Sequence, residues 1–303
     1  MLARSPRSRH RERPYHRSMQ VRTFADPVTF REAAGLLLLT DPARNNLPLG
    51  ILGTLIGHPQ VYPIFDLWLA ERDGEAVGAA VRTHPYKIIL AEPAEPEAID
   101  ALCDAVLAHQ PDMPGVVANL PWAGRFVDRW CAATSARAEL VLAQGVYALT
   151  RVRDPRPAPG AHRPCGAADR GLLRRWIEDF QTEALSHQPY DAERTERMLD
   201  VRLADGDADG LWFWERAGEQ VSLAGFGGAG EGGTRIGPVY TPREQRGRGY
   251  ASNLVADLSR WVLAGGGTAC YLYTDLSNPT SNGIYVAVGY EQVADSAEYA
   301  FVR

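Results

Sequence analysis

The sequence predicts an α/β protein made of two mixed-sheet α/β units in tandem. Two observations predict it. The segment Leu67-Trp68-x-x-Glu71-Arg72-x-Gly74-Glu75-x-Val77 returns 144 residues later as Leu211-Trp212-x-x-Glu215-Arg216-x-Gly218-Glu219-x-Val221, with seven of eleven positions identical. Each copy reads as strand, tight glycine turn, strand, and each follows two helix-like segments. Helices then alternate with strands through both halves, the order of an α/β sandwich.

The elements follow in sequence. The first unit spans 21–153. Apolar spacing predicts helices over Phe30–Leu39 and Leu47–Ile56, then strands at Asp66–Glu71, Ala76–Arg82 and Lys87–Ala91. Ile99–Ala108 reads as a helix, Gly115–Leu120 as a strand, Gly124–Ala133 as a helix, and Glu139–Val152 as the closing strands. Residues 154–160 form a linker stiffened by three prolines. The second unit, 161–303, opens with a short strand at Ala161–Gly166. Helices over Ala168–Leu185 and Ala192–Leu203 come next, then strands at Leu211–Glu215, Val221–Phe226 and Thr234–Thr241. A helix to Ala264, a strand at Ala269–Thr274, a helix at Pro279–Val288 and closing strands at Glu291–Val302 complete it.

Six residues organise the second unit: Arg246-Gly247-Arg248-Gly249-Tyr250-Ala251. They leave a strand and open an apolar-periodic helix carrying Leu254, Val255, Leu258, Trp261 and Val262. A helix start gathers free N–H groups and partial positive charge, which suits a phosphate or pyrophosphate. Gly247 and Gly249 remove the β-carbons that would hold a ligand away from the backbone. The run lacks the lysine of a Walker A loop, and Ser252 stands where a dinucleotide fingerprint needs its third glycine or alanine. It fits Arg/Gln-x-x-Gly-x-Gly/Ala, with Arg246, Gly249 and Ala251 in the fixed places. That pattern resembles the coenzyme A pyrophosphate loop of the GNAT acetyltransferase superfamily, and the element order over 160–303 is similar. The first unit resembles it in element order only. At its equivalent place stands Glu92-Pro-Ala-Glu-Pro-Glu-Ala98, with no glycine and three carboxylates. A pyrophosphate would be repelled there, so this copy is read as degenerate.

The resemblance implies further roles. Val239, Tyr240 and Thr241 would pair through their backbone with the pantetheine arm, one amide facing the thioester oxygen. Gly237-Pro238 suggests a bulge, because proline cannot donate to a ladder. Arg246 and Arg248 would add charge at the phosphates. Asn278 and Tyr285 lie seven apart, nearly two helical turns, so they share a face. By the resemblance Asn278 lies beside the coenzyme and Tyr285 protonates the departing thiolate. Asn278 also suits plain N-capping before Pro279, and Tyr285 a core position. Thr234–Thr241 contains no carboxylate to act as base. Glu183, His187, Tyr190 and Asp275 are the remaining candidates. The implied reaction is acetyl or short acyl transfer from acetyl-CoA, as co-substrate, to a primary amine of a small molecule or peptide. Two alternatives stand beside it: a non-catalytic acyl-CoA-binding or regulatory module, and an aminoacyl-type transferase on the same scaffold.

Composition bounds the rest. Of 303 residues, 45% are hydrophobic and 23% charged, and the net charge is −5. That balance gives no overall pull toward nucleic acid. Residues 1–20 carry six arginines against Glu12 and read as a disordered basic tail upstream of a start near Met19. No apolar run long enough to span a membrane is present. Cys103, Cys131, Cys165 and Cys270 are widely spaced and read as reduced cytoplasmic thiols, with no metal site. Asp205-Gly-Asp-Ala-Asp-Gly210 begins like a calcium loop, but Arg216 stands where its glutamate is needed. A homodimer is compatible with the sequence.

Overall fold

A computed structural model describes residues 19–204, 210–228, 230 and 232–302. The proposed basic tail, apart from Met19 and Gln20, and most of the calcium-like turn lie outside these residues. In chain order the first half contains β1 (Gln20–Phe24), α1 (Pro27–Thr40), α2 (Asn46–Gly57), β2 (Phe65–Arg72), β3 (Glu75–Thr83), β4 (Ile88–Leu90), α3 (Glu97–His109), β5 (Gly115–Asn119), α4 (Trp122–Thr134) and β6 (Arg137–Leu149). The second half repeats it with β7 (Ala161–Pro164), α5 (Arg170–Ala184), α6 (Ala192–Ala204), β8 (Gly210–Arg216), β9 (Glu219–Gly227), β10 (Thr234–Tyr240), α7 (Tyr250–Ala264), β11 (Cys270–Asp275), α8 (Pro279–Val288) and β12 (Glu291–Val302).

All twelve strands join one sheet, in the order β1-β2-β3-β4-β5-β12-β6-β11-β10-β9-β8-β7. Moving each strand six places along the chain reverses this order, so the halves are related by a pseudo-two-fold axis between β12 and β6. The repeated segments form the matching hairpins β2–β3 and β8–β9. Their turns are tight, with Asp73 and Gly74, then Ala217 and Gly218, at positive φ.

The closing strands differ from the sequence reading. Each is one long strand, and each serves the other half. β6 lies against β11, from Cys270↔Leu149 to Asp275↔Gln144. β12 lies against β5, from Ser296↔Asn119 to Ala300↔Gly115. β6 and β12 then pair with one another from Glu291↔Ala148 to Val302↔Arg137. Local alternation could not distinguish these slots, because either strand offers a similar pattern of inward and outward residues.

Helices cover both faces. α3 and α4 pack over Trp68, Ile88, Leu90 and Val116, while α1 and α2 pack over Leu67, Leu69, Val81 and Ile89. In the second half, α7 and α8 cover one face with Leu254, Leu258, Tyr285 and Val288. α5 and α6 cover the other with Leu173, Trp176, Ile177 and Leu199. Leu254 and Leu258 are fully buried, and each such side chain contributes about 1.5–3 kcal/mol of transfer free energy. No helix among the described residues is long and apolar enough to cross a membrane.

Candidate active site

The ladder between β10 and β11 is short. The two parallel strands pair at Thr234↔Cys270 and Arg235↔Tyr271, then part. Beyond that point β10 is bulged against β9: Ile236 faces Phe226 and Val239 faces Ala224, so one extra residue lies between them. The bulge falls at Gly237-Pro238, as the sequence suggested. The parted strands leave main-chain groups along the facing edges of Val239–Thr241 on one side and Tyr273–Asp275 on the other.

The glycine-rich loop sits at the end of this cleft. A short 3-10 turn at Arg243–Gln245 leads into it, and Gly247 and Gly249 take φ values of 74° and 81°. The first bond back into α7 is Asn253 N–H to Gly249 O, 3.1 Å. The amides of Gly247 through Ser252 precede that bond, and none donates to another protein group among the described residues. They therefore form the kind of anion cradle expected at a helix start. A β-carbon on Gly249 would approach Ala158 Cβ at 3.6 Å and Asn253 Nδ2 at 3.7 Å, so the linker flanks the cradle. Asn253 fixes that neighbour by donating to Arg156 O at 3.0 Å.

The arginines have local partners. Arg246 donates to Thr241 O at 2.8 Å and to Glu183 Oε2 at 2.7 Å, which ties the loop to the end of α5. Arg248 donates to Gln245 Oε1 and Glu244 O. Ser222 and Thr241 hydroxyls lie 2.8 Å apart and brace the strand end. The Tyr240 ring turns toward α5, within 6.0 Å of the Arg246 guanidinium. The Tyr250 ring is buried in the core under α7.

At the other wall, Asn278 caps α8: its Oδ1 accepts from Ser281 N–H at 3.1 Å. Tyr285 is 8% exposed and packs edge-on to Tyr290 at 6.0 Å. Burial pushes its hydroxyl pKa up to about 12, so it stays protonated at neutral pH and is suited to give a proton, not to take one.

Residues 172–290 match the model of the acetyltransferase (GNAT) family. The C-terminal half carries a GNAT domain. Solved structures share the whole fold. A Drosophila protein aligns over 93% of this chain and 98% of its own, with TM-score 0.67 and 13% identity. A tandem GNAT protein from the clavulanic acid biosynthesis pathway aligns over 94% and 98%, with TM-score 0.59 and 15% identity. A GCN5-related N-acetyltransferase from Sphaerobacter thermophilus aligns over 93% and 95%, with TM-score 0.56 and 18% identity. The chain is thus two GNAT-like units in tandem. A search of curated proteins finds no sequence match. The family is one of acyltransferases.

The loop of the N-terminal half differs from that of the GNAT domain. Several of its amides are used internally: Glu92 N–H donates to Asn45 Oδ1, Ala94 N–H to Val77 O, Ala98 N–H to Glu95 O and Ile99 N–H to Pro96 O. Pro93 and Pro96 have no N–H. Glu92, just past β4, bridges to the end of β5 and the start of α4. Its carboxylate accepts from Asn119 Nδ2 at 3.0 Å and from Trp122 Nε1 at 2.7 Å, with Arg44 at 3.3 Å. No such side-chain bridge crosses the β10–β11 cleft among the described residues. Glu92→Ala should cost about 2 kcal/mol, since it strands three donors. Urea unfolding would measure it, and an unchanged midpoint would show the bridge to be idle.

The four candidate bases are dispersed. Burial raises the Glu183 pKa, but its bonds and charge contacts with Arg246 and Arg243 outweigh this and hold it below the usual range. Such a carboxylate is a weak base. Asp275 Oδ1 accepts from Ser277 N–H at 2.8 Å in a local turn. The Tyr190 hydroxyl is buried without a partner. His187 Nε2 stands 3.1 Å from Glu298 Oε1, which also holds Lys87 at 2.7 Å. Among the described residues no three His, Cys, Asp or Glu side chains are placed to share a metal ion, and all four cysteines are free thiols.

Proposed function

We propose that the protein is an N-acetyltransferase that moves an acetyl or short acyl group from acetyl-CoA to a primary amine of a small molecule or peptide. The six unengaged amides at Gly247–Ser252, opening onto a parted strand pair, carry this reading. In it the pyrophosphate rests on those amides, with Asn278 and the backbone of Val239, Tyr240 and Thr241 along the pantetheine arm. The amine enters from the face covered by α2, α5 and α6, opposite α7 and α8. Its nitrogen attacks the thioester carbon, one amide after the bulge takes the developing oxyanion, and the carbon–sulfur bond breaks. Tyr285 gives its proton to the departing thiolate, and the proton that the acylated nitrogen releases to water restores Tyr285. Much of the acceleration comes from holding amine and thioester together. The N-terminal half, its loop closed by Glu92, is the degenerate copy and shapes the acceptor side.

Isothermal titration with acetyl-CoA tests the reading, and no saturable binding would refute it. Gly249→Val should weaken acetyl-CoA at least tenfold while leaving the circular dichroism spectrum intact. A branched residue at φ 81° costs roughly 1–2 kcal/mol in strain and covers the cradle. Mass-spectrometric screening of an amine library would then name the acceptor. Binding without any product would assign the protein to the acyl-CoA-binding class instead.

A further inference from the structure

Arg235 lies at the point where β10 and β11 part, on the face covered by α2. Its stem packs against Gly50 of α2, where an added β-carbon would meet Arg235 Cδ at 3.4 Å. Its guanidinium stands over the Tyr273 ring at 5.5 Å. Nε is buried and has no hydrogen-bond partner. No salt bridge reaches Arg235 among the described residues. Burial pulls its pKa down, and the titratable groups beside it among the described residues are the Tyr273 and Tyr62 hydroxyls, with no carboxylate. The side chain is thus a partly buried cation with no counterion among the described residues.

Its surroundings are polar and incompletely satisfied. Asn46 Oδ1, from the start of α2, is buried without a partner. Tyr62, in the turn after α2, accepts from Arg194 Nη1 at 3.4 Å, and Arg194 Nε is also unpartnered. Asp191 acts on Arg194, but no carboxylate among the described residues answers Arg235. The Arg194 guanidinium lies over Tyr86 of the N-terminal half at 4.9 Å. Both halves therefore build the floor on which Arg235 stands. Along β10, Arg235 precedes Val239 by four residues, a span of about 13 Å at most, and the arginine side chain covers part of it.

We propose that Arg235 receives an anionic group of the acceptor, a carboxylate or phosphate, so that the amine acylated belongs to a small molecule bearing a negative charge a few bonds away. This rests on the acyl-transfer reading above and adds the acceptor's class to it. A guanidinium offers paired N–H donors that match either anion. The anion supplies the missing counterion, and its position at the closed end of the cleft sets the amine toward the thioester.

Matched acceptors test the idea: lysine against cadaverine, and O-phosphoethanolamine against ethanolamine, each with acetyl-CoA. The wild type should prefer one member that carries a carboxylate or phosphate over its partner that lacks it by roughly ten- to hundredfold in kcat/KM. Which pair shows the preference identifies carboxylate or phosphate. Arg235→Gln should erase the preference through KM, Arg235→Lys should keep part of it, and both should bind acetyl-CoA as the wild type does. Equal use of amines with and without the acidic group by the wild type would overturn the proposal, as would an unchanged preference in Arg235→Gln. If Arg235→Gln does not fold, an unaltered KM for the anionic acceptor in Arg235→Lys overturns it. Failure to bind acetyl-CoA would instead sink the underlying reading, so the two failures are distinguishable.

Discussion

Expressed alone, residues 161–303 should give no stable monomer. Without β6, β11 loses its partner from Cys270 to Asp275, and β12 loses its ladder from Glu291 to Val302. Without β5, β12 loses its second ladder as well, including the Ser296 hydroxyl bond to Ala118 O at 3.0 Å. Unpaired strands of this length invite association. A domain's net stability is only about 5–15 kcal/mol, so losing a central ladder should abolish it. Residues 19–153 face the same loss, because β5 and β6 would both miss β12. Gel filtration and circular dichroism should find aggregate or unfolded chain for each half, and a folded one-to-one complex when the halves are coexpressed. A monodisperse, folded 161–303 that binds acetyl-CoA as the full chain does would contradict this. It would mean that β12 can take the place of β6.

Tyr285→Phe carries the second large effect. Removing the hydroxyl leaves the ring packed against Tyr290, so stability and acetyl-CoA affinity should hold. Turnover should fall by about 10²–10⁴-fold, the range of a positioned acid. The pH dependence follows from the pKa raised to about 12. The neutral, proton-donating form persists through the physiological range, so Tyr285 adds no basic limb to the rate profile below about pH 11. The folded pKa exceeds the unfolded value near 10. Its contribution to stability is therefore complete below pH 10 and is lost as pH rises through about 12. Pre-steady-state thiol release at several pH values would check the rate. Equal turnover in the phenylalanine variant would remove Tyr285 from the reaction.

Much of this was legible in the sequence. Helices with a strong apolar stripe, such as α5 and α7, fell within a few residues of their expected ends. The glycine run lies at the start of α7, and Asn278 does cap α8. What escaped was of two kinds. β1 was not expected, because Gln20–Phe24 is a short edge strand with three exposed positions and little apolar alternation. The exchange of β6 and β12 escaped because strand partners are chosen at long range, and the pattern within one strand does not record them. At the site, the lack of a carboxylate in Thr234–Thr241 was seen, but the cation among those residues was not. Arg235 sits between Thr234 and Ile236 in a strand otherwise uncharged. A charged residue in such a run is the available clue, and only the three-dimensional neighbours show that no acid among the described residues answers it. Glu92 was read as repelling a pyrophosphate, whereas its capture by Asn119 and Trp122 depends on β5 and α4 and could not be read locally.

The central position of β12 bears on how the chain matures. Its residues leave the ribosome after every other strand of the sheet has been made, yet their place is in the middle, beside strands completed more than 140 residues earlier. Contacts so distant along the chain form slowly. During synthesis β5 and β6 must wait with a gap between them, a state open to capture by chaperones or by other nascent chains.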